Sequence, residues 1–241
     1  MSSARPRDPR PRLIVCGSGR SGTSAVARLL HEAGLAVGHN LIPPDEHNAE
    51  GYFEERPVIE ANQAILNAAG VGPPFSSASR EQIIEAAQPY TGYMVVAAQN
   101  ATPAWKDPRF CWTLEPWLSV LDGRPRLIVC LRSPAEVAAS TLRYFGQVGD
   151  EPARAVYHVW RAQYERLLEV IDAYGLASTM IEYAELHRDP AAAVGKLSSF
   201  TGRPLDPSLV RTDLRHHEAD MPGDLRPLYD RVLALSHVTS T

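Results

Sequence analysis

Two nearly identical apolar runs, residues 12–16 (RLIVC) and 126–131 (RLIVCL), each lead directly into a polar turn and then into a helical pattern. A short run with no polar interruption is the mark of a strand buried on both faces, and strand–turn–helix units of this kind build a parallel sheet with crossover helices. The rest of the chain keeps that rhythm. Apolar spacing predicts helices over 21–33, 57–69, 78–87, 110–121, 134–145, 151–174, 190–200 and 225–235, and strands over 93–98 (YMVVAA) and 178–181. No repeat and no Gly/Ser-rich linker divides the pattern, so we expect one α/β domain over 12–241, preceded by a frayed tail, 1–11. The polar, turn-rich stretch 203–222 reads as a surface loop or flap.

Composition narrows the partners. The 241 residues carry 24 basic and 28 acidic side chains, a net charge of −4, so no global positive field recommends nucleic acid, and any anion site must be local. Hydrophobic residues at 44% provide for a real core. Among the basic residues only Lys106 and Lys196 are lysines. Cys16, Cys111 and Cys130 form no complete disulfide framework, and two of them lie within apolar runs, which points to free thiols in a reducing, cytoplasmic compartment. No run approaches the about 18–20 apolar residues that a membrane helix requires. His216 and His217 lack companions at metal-ligand spacing, so no metal is expected. The sequence carries no signal for oligomeric state.

The first apolar run continues into Gly17-Ser-Gly-Arg-Ser-Gly-Thr-Ser24 and a helix. Such a turn directs successive backbone N–H groups and the positive end of the helix dipole at one point, which cradles an anion. Gly17, Gly19 and Gly22 permit close backbone approach, Ser21, Thr23 and Ser24 add hydroxyls, and Arg20 supplies a planar fork for a tetrahedral oxyanion. The ATPase loop G-x-x-x-x-G-K-[ST] places its glycines on Gly17 and Gly22 but requires lysine where Thr23 stands. The second run ends in Arg132 instead of a magnesium-binding aspartate. A dinucleotide reading lacks the acidic residue expected about 20 positions on.

GSGRSGTS after one strand and LRSPAEVAAS after another resemble the two nucleotide-binding motifs of sulfotransferases that use 3′-phosphoadenosine 5′-phosphosulfate. Gly51-Tyr-Phe-Glu54 and Lys106-Asp-Pro-Arg109, lying between them, resemble segments of a bacterial sulfotransferase group. The resemblance implies a P-loop-like parallel sheet flanked by helices. It implies that Ser18, Gly19, Arg20, Ser21, Gly22, Thr23 and Ser24 bind the 5′-phosphosulfate and that Arg132 and Ser140 bind the 3′-phosphate, with no metal taking part.

By the same resemblance Glu54 is the general base, with Glu55, Asp107 and His47 as alternatives, and Lys106 faces the sulfate and acceptor. Asp107, Arg109 and His47 are then candidate acceptor-binding residues, although Arg109 equally fits a structural ion pair with Asp107. Arg215 is a candidate for a late contact to the 3′-phosphate. Trp105, Phe110 and Trp112 read as core. The implied activity is sulfuryl transfer to a hydroxyl or amine of a small-molecule or carbohydrate acceptor. A nucleotide-dependent kinase with a degenerate loop and a non-catalytic nucleotide-binding module are the alternatives.

Overall fold

The computed structural model describes residues 12–46, 48, 50–72, 76–99, 102–211 and 220–235. Its strands are β1 (Leu13–Cys16), β2 (Ala104–Lys106), β3 (Arg126–Leu131) and β4 (Ser178–Glu182), joined in one parallel sheet in the order β2-β1-β3-β4. Val15 lies opposite Lys106 on one side of β1, and Cys16 lies opposite Val129 on the other. Every strand residue is buried except Arg126 and Glu182 at the outer ends of β3 and β4, as continuous apolar runs in a parallel sheet require.

Helices α1 (Thr23–Glu32), α2 (Arg56–Ala68), α3 (Arg80–Ala87), α4 (Thr91–Ala98), α5 (Phe110–Leu118), α6 (Pro134–Tyr144), α7 (Asp150–Tyr174), α8 (Tyr183–Arg188), α9 (Pro190–Thr201) and α10 (Arg226–Leu233) cover both faces. Alternation along the strands sends Ile14, Cys16, Leu127, Val129 and Leu131 into one core with α2, α3, α5, α6, α7 and α10. Leu13, Val15, Ile128, Cys130 and Ile181 face the other way and pack with α1 and α9. Local chemistry sets the boundaries. Ser79 and Gln82 form a capping box on α3, proline occupies the first turn of α2, α6 and α9, and α7 stops at Gly175 in the left-handed region.

Residues 93–98, expected as a strand, belong instead to α4. The chain leaves α3 through a 3₁₀ turn, Gln88–Tyr90, straight into this helix, and only Met94 and Ala97, three positions apart, are buried. An apolar run too short to show a period fits either element, and here Tyr93, Val95 and Val96 face outward, with Val96 67% exposed. The edge strand β2 is a three-residue element absent from the sequence-based expectation, as is the six-residue α8. The three cysteines are buried and free. Burial pushes the thiols of Cys111 and Cys130 up to about 12 and raises that of Cys16 well above the ordinary thiol value, so they behave as small apolar side chains.

Candidate functional site

The chain passes from β1 to β2 on one side and from there crosses over to β3 on the other, so the topology switches between β1 and β3. In parallel sheets the crevice beyond the carboxyl ends of strands at such a point receives ligands. The loop 17–22 lies there. Gly17 has φ 141°, and a Cβ on it would stand 2.3 Å from the carbonyl oxygen of Cys130, so the loop can run this close to β3 only as glycine. Gly22, φ 85°, opens α1, and a Cβ there would meet the Tyr183 ring at 2.7 Å. The first turn of α1 has no side-chain cap and no acidic residue, which leaves its N–H groups open to an anion.

Tyr164 of α7 anchors the loop from below. Its hydroxyl donates to the Cys130 carbonyl at 2.6 Å and accepts the Ser18 N–H at 3.2 Å. Burial raises this phenol well above its ordinary value, so the donor proton stays in place at working pH.

Among the described residues the non-glycine residues with positive φ are Arg20 at 65° and Phe53 at 55°. Each such conformation costs about 1–3 kcal/mol and persists where its surroundings enforce it. Arg20 lines the crevice, and Phe53 stands between Tyr52 and Glu54, which also line it. Arg20 Nε donates to Ser140 Oγ at 3.0 Å, and Arg132 Nη1 donates to the Arg20 carbonyl at 3.1 Å, so the loop after β1 and the segment after β3 close on each other. Arg132 also pairs with Glu136 at 2.8 Å and lies 4.1 Å over the Tyr183 ring. Its Nη2 and the Ser133 hydroxyl are buried with no hydrogen-bond partner among the described residues.

After Phe53 the consecutive glutamates go to different places. Glu55 accepts the N–H groups of His39 and Asn40 at 2.6 and 3.0 Å and thereby ties the preceding loop. Glu54 instead meets Lys106 Nζ at 2.5 Å and Arg109 Nη1 at 3.4 Å. Lys106 ends the edge strand β2 and is 2% exposed, and it also donates to Ser24 Oγ and the Tyr52 carbonyl at 3.2 and 3.0 Å. Arg109 is held by Asp107 at 3.0 Å, and Asn62 of α2 holds the other Asp107 oxygen at 2.8 Å. Asp107, outweighing the cost of burial and aided by Glu54, raises the Arg109 guanidinium above the ordinary arginine value. Asn62 is itself fixed by Thr113 and Trp117, both at 2.7 Å.

A cavity of about 290 Å³ opens beside these groups. Ser18, Gly19, Arg20, Glu54 and Arg109 border it at the loop end, while Trp112, Val137 and Val159 contribute to its walls. Lys106 and Asp107 are not among its lining residues and stand behind Glu54 and Arg109.

A family model described as "Sulfotransferase family" matches residues 11–207, most of the chain. The chain belongs to the sulfotransferase family. The sulfotransferase domain of the Synechococcus PCC 7002 olefin synthase is 17% identical over 97% of this chain and 91% of that one, with a TM-score of 0.50, and supports the fold. A sulfotransferase domain from the curacin biosynthetic pathway matches at 17% identity, 97% and 94% coverage and a TM-score of 0.44. A Mycobacterium tuberculosis H37Rv sulfotransferase matches at 13% identity, 93% and 72% coverage and a TM-score of 0.49. No curated protein sequence matches.

In this sulfotransferase the residues singled out from sequence fall into one region: Ser18 to Ser24, Glu54, Lys106, Asp107, Arg109, Arg132 and Ser140 are joined by the contacts above. His47, Arg215, His216 and His217 lie outside the described residues. Among the described residues no helix is long and apolar enough to cross a membrane. Trp105 and Phe110 are core, stacked with centroids 6.4 Å apart, whereas Trp112, expected with them, also faces the cavity. Sequence reasoning missed Tyr164, Asn62 and Tyr183. Tyr164 and Asn62 fall on the apolar faces of their helices and look like core positions until their partners are known.

Proposed function

We propose that this sulfotransferase moves a sulfuryl group from 3′-phosphoadenosine 5′-phosphosulfate to a hydroxyl or amine of a small-molecule or carbohydrate acceptor. The observation that carries this reading is the convergence of two strand-end segments on Arg20, through Ser140 Oγ at 3.0 Å and Arg132 Nη1 at 3.1 Å. A donor with phosphate at both ends suits such a junction. The residues fit it: the uncapped first turn of α1 offers N–H groups at one end, and Arg132 Nη2 and Ser133 Oγ are buried without partners at the other.

In this reading Ser18, Gly19, Arg20, Ser21, Gly22, Thr23 and Ser24 hold the 5′-phosphosulfate, and Arg132 and Ser140 hold the 3′-phosphate. When bound, the donor supplies the sulfuryl group, and its phosphate keeps the electron pair of the broken sulfur–oxygen bond. Arg20 places positive charge where negative charge accumulates during transfer. Glu54 accepts the proton that leaves the acceptor as its oxygen–sulfur bond forms, while Lys106 and Arg109 fix the carboxylate in position. Asp107 holds Arg109, and Glu55, committed to the backbone of residues 39 and 40, holds the loop.

The test is turnover. Incubation with the donor and an acceptor is expected to release 3′-phosphoadenosine 5′-phosphate, and Glu54→Gln to retain affinity for that nucleotide while turnover falls about a hundredfold or more. Wild-type turnover in Glu54→Gln places the base elsewhere, and absence of nucleotide binding by the wild-type protein removes the proposal.

A further inference from the structure

Building on the sulfuryl-transfer reading, we propose that Gln163 is a specificity-determining residue: its carboxamide oxygen accepts a hydrogen bond from an N–H or O–H group of the acceptor, in addition to the proton that Glu54 takes. Gln163 follows Val156 and Val159 on α7 at helical spacing, so the three share one face, and all three line the cavity. Two contacts fix that part of the helix. The next residue, Tyr164, accepts the Ser18 N–H of the loop at 3.2 Å, and Arg166 Nε donates to the Trp112 carbonyl at 3.2 Å. Gln163 is therefore held on the stretch of α7 that joins the loop to the Trp112 wall.

The Gln163 Oε1 atom is buried and has no hydrogen-bond partner among the described residues. A buried oxygen left unpaired costs free energy that an apolar group of the same shape would not, and a ligand donor that reaches it removes this cost. The neighbouring groups ask less of a ligand. Val137, Val156 and Val159 offer contact but no polar side-chain atom, and the hydroxyl of Thr141, which lines the cavity from α6, rotates to donate or to accept. The Gln163 oxygen only accepts. A fixed accepting atom rejects an analogue without the donor more sharply than an apolar wall rejects an added methyl, because the analogue leaves the oxygen buried and unpaired. An acceptor hydroxyl has a single proton, which goes to Glu54 as the oxygen–sulfur bond forms. The donor for Gln163 is then a second hydroxyl or an N–H. The volume of about 290 Å³ is at the lower end of the range of small-molecule sites, so a one-ring molecule is a suitable probe.

The experiment uses catechol, resorcinol and hydroquinone, each against its monomethyl ether, which keeps one hydroxyl and loses the second donor; the three isomers vary the reach to Gln163. Calorimetry reads the affinity for each with the protein saturated by 3′-phosphoadenosine 5′-phosphate. We expect at least one diphenol to bind about tenfold or more tightly than its ether. Gln163→Met, similar in length but without the oxygen, is expected to bring that preference within about threefold and to melt no lower than the wild type, because it removes an unpaired buried atom. Gln163→Glu, which keeps accepting oxygens in that place, is expected to retain the preference. The proposal is overturned if the wild type binds none of the probes or prefers no diphenol, or if the preference survives Gln163→Met or is lost in Gln163→Glu. A Gln163→Met variant that melts well below the wild type also overturns it, since the oxygen then serves the fold. Failure of the nucleotide itself to bind overturns the underlying sulfuryl-transfer reading instead.

Discussion

Gly17 and Gly19 lie in the same loop but answer to different constraints. At Gly17 a Cβ would collide with the Cys130 carbonyl, and φ is 141°, whereas nothing lies within 4 Å of the place where a Cβ on Gly19 would stand. Gly17→Ala should therefore lower stability by about 2–4 kcal/mol in chemical denaturation. Gly19→Ala should leave stability within about 0.5 kcal/mol yet weaken binding of 3′-phosphoadenosine 5′-phosphate, because its methyl would stand where backbone and phosphate meet. Equal effects of the two changes on stability would contradict this division. The glycines themselves are plain in the sequence, but which of them is sterically obligatory depends on how close β3 passes. The neighbours Glu54 and Glu55 pose the same problem. Their identical side chains take different partners because the extended chain sends consecutive residues to opposite sides, and which side faces Lys106 depends on the fold.

One carboxylate joins three helices. Glu115 of α5 accepts from Arg80 of α3 through two guanidinium nitrogens, from Arg166 of α7 at 3.0 Å and from the Tyr174 hydroxyl at 3.0 Å. Burial alone would raise its carboxyl, but Arg80, Tyr174 and Arg166 together outweigh that and hold it below the ordinary glutamate value. A depressed carboxyl stabilises the fold fully above its unfolded-state value, about 4.3, and loses that contribution as pH falls through the folded-state value. Glu115→Gln should thus cost about 3 kcal/mol near neutral pH, since it leaves Arg166 buried without its counter-charge. The gap between variant and wild type should narrow as thermal melts are repeated below pH 4; a gap independent of pH would show that the ion network is not its source.

At this scale much was legible. The buried strands β1 and β3 are apolar runs, and the long helices carry clear periodicity. What escaped were elements too short for a pattern, β2 and α8, and the apolar stretch 93–98, whose helical state is decided by the 3₁₀ turn that leads into it.

Across the whole molecule, Tyr164 joins parts of the chain that sequence spacing keeps far apart: its hydroxyl links α7 to the loop at Ser18 and to the end of β3 at Cys130. Tyr164→Phe should cost about 1 kcal/mol of stability and, by loosening the loop, weaken nucleotide affinity more than that stability loss alone accounts for. A loss of stability with unchanged affinity would reduce Tyr164 to a packing residue. The wider layout was legible from the two strand–turn–helix units, because a parallel sheet brings their turns to one edge. The meeting of Arg20 with Ser140 and Arg132 was not, since it depends on the strand order β2-β1-β3-β4. That meeting underlies the central claim, and calorimetric titration of the wild-type protein with 3′-phosphoadenosine 5′-phosphate, and with ATP and magnesium for contrast, tests it most directly. The account predicts saturable binding of 3′-phosphoadenosine 5′-phosphate that is weakened by Arg20→Ala and by Arg132→Ala, with ATP bound more weakly. Tighter binding of magnesium–ATP, or affinity for 3′-phosphoadenosine 5′-phosphate unchanged in both variants, would contradict it.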